Sequence, residues 1–381
     1  MAIKKVRVPL KILHVYKDFD PPVHGGVERH MAMMCRYQRQ WAEVEALTCS
    51  RSWRTSVVER DGTRVTEAGE WGRFQNAPLA PSFPWRIWRS TADVLVVHSP
   101  NPTSEVAALV GRPRGAIVVR YHSDVVRQAS AMRYYRPVLM HFLKRSAMIL
   151  PTSQAYIDGS QVLTEVRDKC RVVPLGIVTE EFDAPDPARV AALREAYGPD
   201  YVLFSGRHRY YKGLPVLVEA ARSIRAKVVM AGDGPERGPA MALAREKGVD
   251  IAFPGSLTQD DLVAHLHGCS VFAFPSIERS EAFGISILEA HACGKPVVAT
   301  RLGTGVEYAN LDGVTGVNVP PNDPAAFAAA VNMLLTDSAR RLALGEAARE
   351  RVCAGFHVSA VARAEFELYR EAARGKGLNA E

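Results

Sequence analysis

Residues 272–300, with the sequence FAFPSIERSEAFGISILEAHACGKPVVAT, decide the fold of this chain. The apolar run Val271–Phe274 predicts a strand, a helix follows from about Gly284, and residues 297–299 predict a second strand. The loop before the helix lies at the carboxyl end of a strand, where open α/β sheets bind ligands. The free N–H groups at the start of the helix suit a phosphate or a sugar hydroxyl. We therefore expect an anionic or polyhydroxyl ligand.

Two glutamates, Glu281 and Glu289, flank the start of this helix. If most of the interval is helical, they are separated by roughly 12 Å, at about 1.5 Å per residue. The paired carboxylates of glycoside hydrolases lie closer, about 5 to 9.5 Å apart. The two glutamates are therefore expected to make two contacts with one long ligand, and not to form an acid/base pair.

The pattern Glu281-x7-Glu289, set in EAFGISILEA and followed by GKPVVAT, resembles the signature of retaining glycosyltransferases of family four. The resemblance implies an α/β GT-B fold, in which two Rossmann-like doubly wound domains face an interdomain cleft. It also implies that Glu281 contacts the donor sugar and that Glu289 holds the nucleotide ribose. The backbone N–H groups that would hold sugar hydroxyls belong to Phe283, Gly284 and Ile285.

A glycine pair, Gly25-Gly26, follows the first predicted strand at residues 11–16 and precedes a helix predicted through residues 31–38. Only glycine lets a diphosphate come against the backbone, so the pair predicts a phosphate-approach turn. A tight turn that packs helix on sheet is the alternative. The segment GGVERH resembles the glycine loop of the same family, which faces the donor diphosphate and the acceptor.

Asp18 and Asp20 stand in the loop before the glycine pair. A D-x-D triplet is also the metal-binding motif of the other large glycosyltransferase fold. That fold is a single domain and would leave the C-terminal half unexplained, whereas GT-B relatives typically manage without a metal. We therefore expect no metal and no cofactor, and expect Asp18 and Asp20 to meet an acceptor hydroxyl.

Two basic residues, Arg207 and Lys212, follow a strand predicted over residues 201–205. The planar fork of arginine and the compact charge of lysine can neutralise a diphosphate. Their loop resembles the family's arginine and Lys-Gly pair, which stabilises the leaving group. The resemblance further implies that the turns containing Gly234 and Ser256 line the nucleotide and its base.

The strand predicted over residues 116–121 ends in Tyr-His-Ser-Asp, which predicts a polar cluster that includes His122 at the ligand-binding edge. His122 also matches the place where family members put a histidine beside the donor sugar. A hydrogen-bonded packing histidine is the alternative.

The chain has 381 residues, 47% of them hydrophobic, which is ample for two cores. The segment DAPDP, residues 183–187, has linker composition. The predicted domains are an acceptor- and membrane-facing domain over residues 1–185 and a nucleotide-sugar-binding domain over residues 186–355. Residues 356–381 would form a helix that crosses back to the first domain. Six cysteines without a Cys-x-x-Cys pair indicate neither a zinc site nor a disulfide framework.

Positive charge is concentrated in the first half of the chain. Residues 1–190 contain 27 Lys and Arg against 19 Asp and Glu, whereas the remainder contains 21 against 22. Residues 127–147 hold bases interleaved with aromatic residues and methionines, which favours an interfacial helix on anionic lipid. A helix with one buried and one solvated face is the alternative. The basic residues of this segment are Arg127, Arg133, Arg136, Lys144 and Arg145.

Neither a long apolar run nor the apolar region of a signal peptide is evident, so we expect a cytoplasmic protein, peripheral on the inner face of the cytoplasmic membrane. The sequence is similar to bacterial O-chain mannosyl and rhamnosyl transferases of lipopolysaccharide biosynthesis. This similarity implies a GDP-sugar donor, with a UDP-sugar as alternative, and a polyprenyl-diphosphate-linked acceptor. Nucleic acid is not an expected partner. A nucleotide-sugar 2-epimerase and a non-catalytic sugar-nucleotide-binding partner remain alternatives.

Overall fold

The computed structural model describes residues 9–23, 25–74, 77–125 and 129–378. Two compact units divide the chain: Met1–Leu175 with Val358–Glu381, and Gly176–His357. The first division precedes the boundary predicted at residue 185, because a turn of 3-10 helix at Thr179–Phe182 belongs to the second unit. Phe182 is fully buried there, and its carbonyl oxygen lies 2.7 Å from a ring nitrogen of His267.

The proline-rich segment that predicted a linker is the start of a helix instead. Asp186 is the N-cap of the helix Pro187–Tyr197, and its carboxylate accepts a hydrogen bond of 2.9 Å from the backbone N–H of Ala188. Aspartate before proline at the first helical position is a strong helix start. The composition of a helix cap and that of a linker overlap, which explains the misplaced boundary.

In the first unit, the described residues form one seven-stranded sheet and a two-stranded ribbon. The sheet order is β3-β4-β2-β1-β7-β8-β9, parallel throughout except for β3, which pairs antiparallel with β4 at the edge. The ribbon pairs β5 with β6. The strands are β1 Leu10–Val15, β2 Ala42–Cys49, β3 Ser56–Arg60, β4 Thr63–Ala68, β5 Arg73–Phe74, β6 Ala77–Pro78, β7 Val94–Ser99, β8 Ala116–Tyr121 and β9 Met148–Leu150.

Helices connect these strands, and the C-terminal helix, Val358–Gly375, packs on α1, β7 and β8. Within the first unit, α2 packs against α3, and α3 packs against α4. A 3-10 segment, Leu163–Lys169, follows α5. The helices are α1 Gly26–Gln38, α2 Phe83–Arg89, α3 Pro102–Gly111, α4 Ala129–Arg145 and α5 Gln154–Gly159.

The second unit contains a six-stranded parallel sheet within its described residues, in the order β12-β11-β10-β13-β14-β15. Strands β10, β11, β13 and β14 are almost entirely apolar and buried, as expected when helices cover both faces of a parallel sheet. The strands are β10 Val202–Ser205, β11 Val228–Ala231, β12 Ile251–Gly255, β13 Val271–Phe274, β14 Val297–Thr300 and β15 Gly316–Val319. The helices are α6 Pro187–Tyr197, α7 Leu214–Ala221, α8 Arg237–Glu246, α9 Gln259–Gly268, α10 Ile285–Ala292, α11 Val306–Ala309, α12 Pro324–Thr336 and α13 Ser338–Gly355.

Both sheets have the doubly wound order 3-2-1-4-5-6, to which the first sheet adds its antiparallel edge strand. In such sheets the connections reverse direction between strands 1 and 4, and ligands bind beyond the carboxyl ends of those strands. The reversal falls between β1 and β7 in the first unit and between β10 and β13 in the second. The loops after these four strands are therefore the expected ligand-binding loops.

Candidate active site

The loop after β13 leads into α10, and the helix begins immediately after Gly284, as the sequence predicts. Gly284 has φ of 87°, a conformation that side chains disfavour. A Cβ atom at this position would lie 2.8 Å from the ring of Phe274 and 2.9 Å from Ile287. Phe283 is buried and Ile285 is half-buried at the first turn. Glycine therefore lets the loop turn tightly into the helix and aims its first N–H groups at the loop.

Glu281, in the same loop, forms an ion pair with Lys212 from the loop after β10. The Nζ atom of Lys212 lies 2.5 Å from Oε2 of Glu281, and the hydroxyl of Ser276 donates a hydrogen bond of 3.0 Å to the same oxygen. Lys212 also lies over the ring of Phe274, 4.9 Å from its centroid. The two loops at the switch point of the second sheet are thus joined by a buried pair of opposite charges.

Electrostatics hold Lys212 in its charged form. Burial is the largest effect and acts to lower the pKa of Lys212, but the charge of Glu281, its hydrogen-bonding contact and the neighbouring acidic groups together outweigh burial, so that the pKa is raised. Glu289, from the second turn of α10, also acts electrostatically on Lys212 and is 7% exposed. The two glutamates of the sequence motif therefore belong to one buried cluster around a single lysine.

The remaining predicted donor-site residues of the second unit surround the loop after β10. Arg207 is exposed and has no ion-pair partner among the described residues, so its guanidinium is available to an anion. A Cβ atom at Gly234 would lie 2.5 Å from the carbonyl oxygen of His208, which makes glycine necessary where the loops after β10 and β11 meet. Ser256 is exposed on the loop after the edge strand β12.

In the first unit, the glycine pair lies at the start of α1. The helix begins at Gly26, earlier than the sequence pattern indicates, and Gly25 is its N-cap in an extended conformation. A Cβ atom at Gly25 would lie 2.3 Å from a carboxylate oxygen of Glu28. The free N–H groups of this helix therefore face the switch point of the first sheet.

Asp18 has a basic partner within the first unit. It is 6% exposed, and both of its carboxylate oxygens accept hydrogen bonds from Arg73, the shorter one 2.9 Å long. Arg73 is held in turn by Glu70 at 2.9 Å. This carboxylate therefore anchors the ribbon strand β5, and its contact with an acceptor hydroxyl stays a prediction. Asp20 is half-buried in the same loop.

His122 lies at the end of β8 within a cluster of four histidines that the sequence did not reveal. His14, His30 and His98 are fully buried, and His122 is 8% exposed. Burial lowers the pKa of all four rings, that of His14 to about 4, so the cluster is neutral at pH 7. The rings of His98 and His122 stack with centroids 5.2 Å apart.

A buried ion pair lies beside the histidine cluster. Arg120 and Glu365, both fully buried, approach to 3.0 Å, and His30 lies 3.4 Å from the same carboxylate oxygen. Arg120 also donates hydrogen bonds to the carbonyl oxygens of Leu150 and Val173. His14, His98 and Arg120 each lie one residue before the carboxyl end of the parallel strands β1, β7 and β8, whereas Glu365 is far away along the chain.

Helix α4 contains the basic segment, and its apolar residues point inward. Leu139, Met140, Phe142 and Leu143 are buried, so they are not available to lipid. Tyr134 is 82% exposed and the basic residues are on the same outer surface. Arg133, Arg136, Lys144 and Arg145 are exposed, Arg136 pairs with Glu165, and Arg127 lies outside the described residues.

Metal-ligand clusters and membrane-spanning helices are both absent from the residues that the structure describes. No group of three or more histidine, cysteine, aspartate or glutamate side chains is arranged to hold a metal ion there. No helix there is long and apolar enough to cross a bilayer. All six cysteines lie in this part of the chain as free thiols, five of them buried.

Two doubly wound sheets, each with a polar cluster at its switch point, define the α/β GT-B class of glycosyltransferases. The described fold matches the sucrose-phosphate synthase of Thermosynechococcus elongatus with a TM-score of 0.80 at 22% identity, over 96% of this chain and 100% of that one. It also matches HepE of Anabaena, solved with UDP and glucose, with a TM-score of 0.76 at 18% identity, over 95% and 100% of the two chains.

The chain belongs to glycosyltransferase family 4. Residues 24–181 match the description "Glycosyltransferase Family 4", and residues 188–351 match "Glycosyl transferases group 1". O-antigen chain mannosyltransferase C of Escherichia coli is 33% identical over 347 residues, covering 90% of this chain and 93% of that protein. D-rhamnosyltransferase WbpZ of Pseudomonas aeruginosa is 34% identical over 333 residues, covering 85% and 86%. This membership favours transfer over the epimerase and binding-protein alternatives.

Proposed function

We propose that this enzyme transfers a hexosyl residue of the mannose or rhamnose type from a GDP-sugar to a lipid-linked saccharide in O-antigen biosynthesis, with retention of the anomeric configuration. The similarity to an O-antigen mannosyltransferase and to a D-rhamnosyltransferase, each over most of its length, supports the sugar type and the process. HepE was solved with UDP and glucose, so a UDP-sugar is the alternative donor.

The observation that carries the donor site is the arrangement of cations at the switch point of the second sheet. Arg207 is exposed, and Lys212 stands beside the start of α10. Together with the N-terminus of α10, they would neutralise the diphosphate as it departs, which is an electrostatic form of catalysis. Charge neutralisation of this kind requires no metal. In the first unit, the N-terminus of α1, at Gly25 and Gly26, would by itself suit a phosphate.

Glu281 is suited to hold the donor sugar. Lys212 and Ser276 both contact its Oε2 atom, and no described residue donates to Oε1. A sugar hydroxyl could donate to this second oxygen without breaking the ion pair. Glu289 would hold the ribose, and the leaving phosphate would accept the proton of the incoming hydroxyl, since no side-chain nucleophile is evident.

Membrane association would be electrostatic. Because Leu139, Met140, Phe142 and Leu143 of α4 are buried, the outer surface that the structure describes offers charge, Tyr134 and Val138. Co-sedimentation with vesicles that contain anionic lipid tests this, with Arg133→Glu/Lys144→Glu compared with Arg225→Glu/Arg245→Glu on the second unit. Loss of binding in the α4 variant alone is expected, and equal binding by both would contradict the proposal.

Thermal shift with GDP and UDP, with and without magnesium, tests the donor site. We expect selective, magnesium-independent stabilisation by GDP, lost in Glu289→Ala and kept in Glu346→Ala, an exposed glutamate on α13. Stabilisation by UDP alone would overturn the GDP-sugar assignment. No response to either nucleotide would overturn the proposed donor site. Release of GDP only in the presence of a lipid-linked acceptor would separate transfer from epimerisation.

A further inference from the structure

Three histidines of the first unit form a hydrogen-bonded row that ends at His122. Nδ1 of His14 lies 3.1 Å from Nε2 of His98, and Nδ1 of His98 lies 2.9 Å from Nε2 of His122. His122 alone of the three is partly exposed. Its Nδ1 atom has no hydrogen-bond partner among the described residues. The row therefore leads from the protein interior to one ring nitrogen at the edge of the sheet.

The direction of the hydrogen bonds is fixed at the other end of the row. The hydroxyl of Tyr369 donates a hydrogen bond of 2.6 Å to Oε2 of Glu365. Glu365 is ionised: burial acts to raise its pKa, but Arg120, His30 and Tyr369 together more than offset this and lower the pKa far below the usual range. A carboxylate can only accept, so Tyr369 must be the donor of this bond. The oxygen of Tyr369 is then left as an acceptor.

Gln38 sets the direction at the start of the row. Its Oε1 atom lies 3.0 Å from Nε2 of His14. An amide oxygen can only accept a hydrogen bond, so this nitrogen of His14 is the donor. The Nε2 atom of the Gln38 amide has no hydrogen-bond partner among the described residues.

Each neutral histidine has one N–H and one bare nitrogen. Because Gln38 accepts, His14 carries its proton on Nε2 and must accept on Nδ1. His98 then carries its proton on Nε2 and accepts on Nδ1, and the same logic places the proton of His122 on Nε2. Reversal of the Gln38 amide would invert every bond in the row, which is why its orientation matters.

We propose that His14 and His98 are positioning residues that hold His122 as the Nε2–H tautomer, so that its Nδ1 atom accepts a hydrogen bond from a substrate hydroxyl at the carboxyl edge of the first sheet. This proposal rests on the proposed function for its ligand, but the tautomer itself does not. Which nitrogen of a histidine is protonated is set by the partner of the other one. A ring locked by stacking and by one hydrogen bond presents its acceptor in a single direction.

Nitrogen-15 NMR of the ring atoms in the full-length protein tests the tautomer directly at pH 7, and comparison with His122→Gln identifies the His122 signals. We expect a protonated Nε2 and a bare Nδ1 in the wild type. A protonated Nδ1 would overturn the proposal. This measurement needs neither substrate nor activity, so it remains decisive even if the donor proves to be a different nucleotide sugar.

Two variants of His98 separate positioning from packing. His98→Asn keeps an acceptor oxygen close to the position of Nδ1, whereas His98→Leu removes it. In His98→Leu we expect mixed tautomers at His122 and a roughly ten- to hundredfold loss in kcat/KM, the range found when the partner that orients a working histidine is removed. His98→Asn should restore a single tautomer and most of the activity.

Nucleotide affinity distinguishes failure of this proposal from failure of the proposed function. GDP or UDP binding should be unchanged in both His98 variants, because Arg207, Lys212 and Glu289 are in the second unit. Equal activity losses in both variants with an unaltered His122 tautomer would mean that His98 only packs, which would overturn the proposal. Absence of any nucleotide binding by the wild type would instead refute the proposed donor site.

Discussion

Lys212 and Glu281 form a buried ion pair, with Nζ 2.5 Å from Oε2 and side chains only 11% and 10% exposed. It joins the loops after β10 and β13, the two strands that flank the switch point of the second sheet. Taking two charges out of water is costly unless each has a close partner. Glu281 therefore helps to keep Lys212 charged in the place where the family resemblance puts the donor.

Replacing one member of this pair should reduce the stability of the protein more than replacing both members together. Glu281→Gln leaves a buried ammonium without a counterion, for which we expect a loss of about 3–5 kcal/mol in the free energy of unfolding. Lys212→Met should have a comparable cost. The double variant should lose much less than the sum of the two, as measured by urea unfolding.

The pair between Arg301 and Asp312 is a matched control for this cycle. Its nitrogen–oxygen distance is 2.9 Å, but its side chains are 53% and 49% exposed. Exposed pairs contribute little, so the coupling energy there should be below about 1 kcal/mol. Equal coupling energies for both pairs would show that burial does not determine the strength of the Lys212–Glu281 pair.

Gly284 should tolerate no side chain, for two separate reasons. Its left-handed φ of 87° is one, and the Phe274 ring 2.8 Å from the position of an added Cβ atom is the other. Gly313 has a φ of 73° with nothing within 4 Å of that position, so Gly313→Ala isolates the first reason. We expect Gly313→Ala to cost about 1–2 kcal/mol in unfolding free energy, and Gly284→Ala to cost more and to abolish donor binding. Equal costs would argue against a steric role for Phe274.

Much of the second unit could be predicted because its signals are local. The strand, loop and helix around Glu281 are contiguous in sequence, and the start of α10 after Gly284 follows from glycine and the apolar pattern. The alternation of strands and helices predicts a doubly wound sheet in both halves. Even the misplaced boundary at residue 185 came from a correct local signal, since Asp186 and Pro187 do begin an element.

The first unit was harder to predict because its polar contacts join residues that are distant in sequence. Asp18 pairs with Arg73, and His30 and Arg120 meet Glu365 of the C-terminal helix. Which of these partners a buried charge finds depends on the tertiary fold. The composition of α4 likewise revealed amphipathicity, but not that the apolar side faces the protein core.

Arg207 should affect transfer without affecting stability. Its side chain is exposed and has no carboxylate partner in the described parts of the chain, so Arg207→Ala should alter the free energy of unfolding by no more than about 0.5 kcal/mol. If it neutralises the leaving diphosphate, kcat should fall by about 100- to 1000-fold in a transfer assay. Arg245→Ala, another exposed arginine of the second unit, is the control. Unchanged kcat in Arg207→Ala would remove this residue from the catalytic site.

The buried histidines of the first unit should make the protein sensitive to mild acid. Burial lowers the pKa of His14, His30, His98 and His122 below the usual 6.5, that of His14 to about 4. Between these values the unfolded chain binds protons that the folded chain does not, so stability is complete above about pH 6.5 and falls as the pH is lowered. Each ring that stays neutral contributes up to about 1.36 kcal/mol per pH unit. Urea unfolding at pH 7, 6 and 5 should therefore show a steep loss in the free energy of unfolding. His14→Gln should reduce the slope of this loss by up to one proton, with His141→Gln, exposed on α4, as the matched control. A free energy of unfolding that stays constant from pH 7 to 5 would show that these rings are not held neutral.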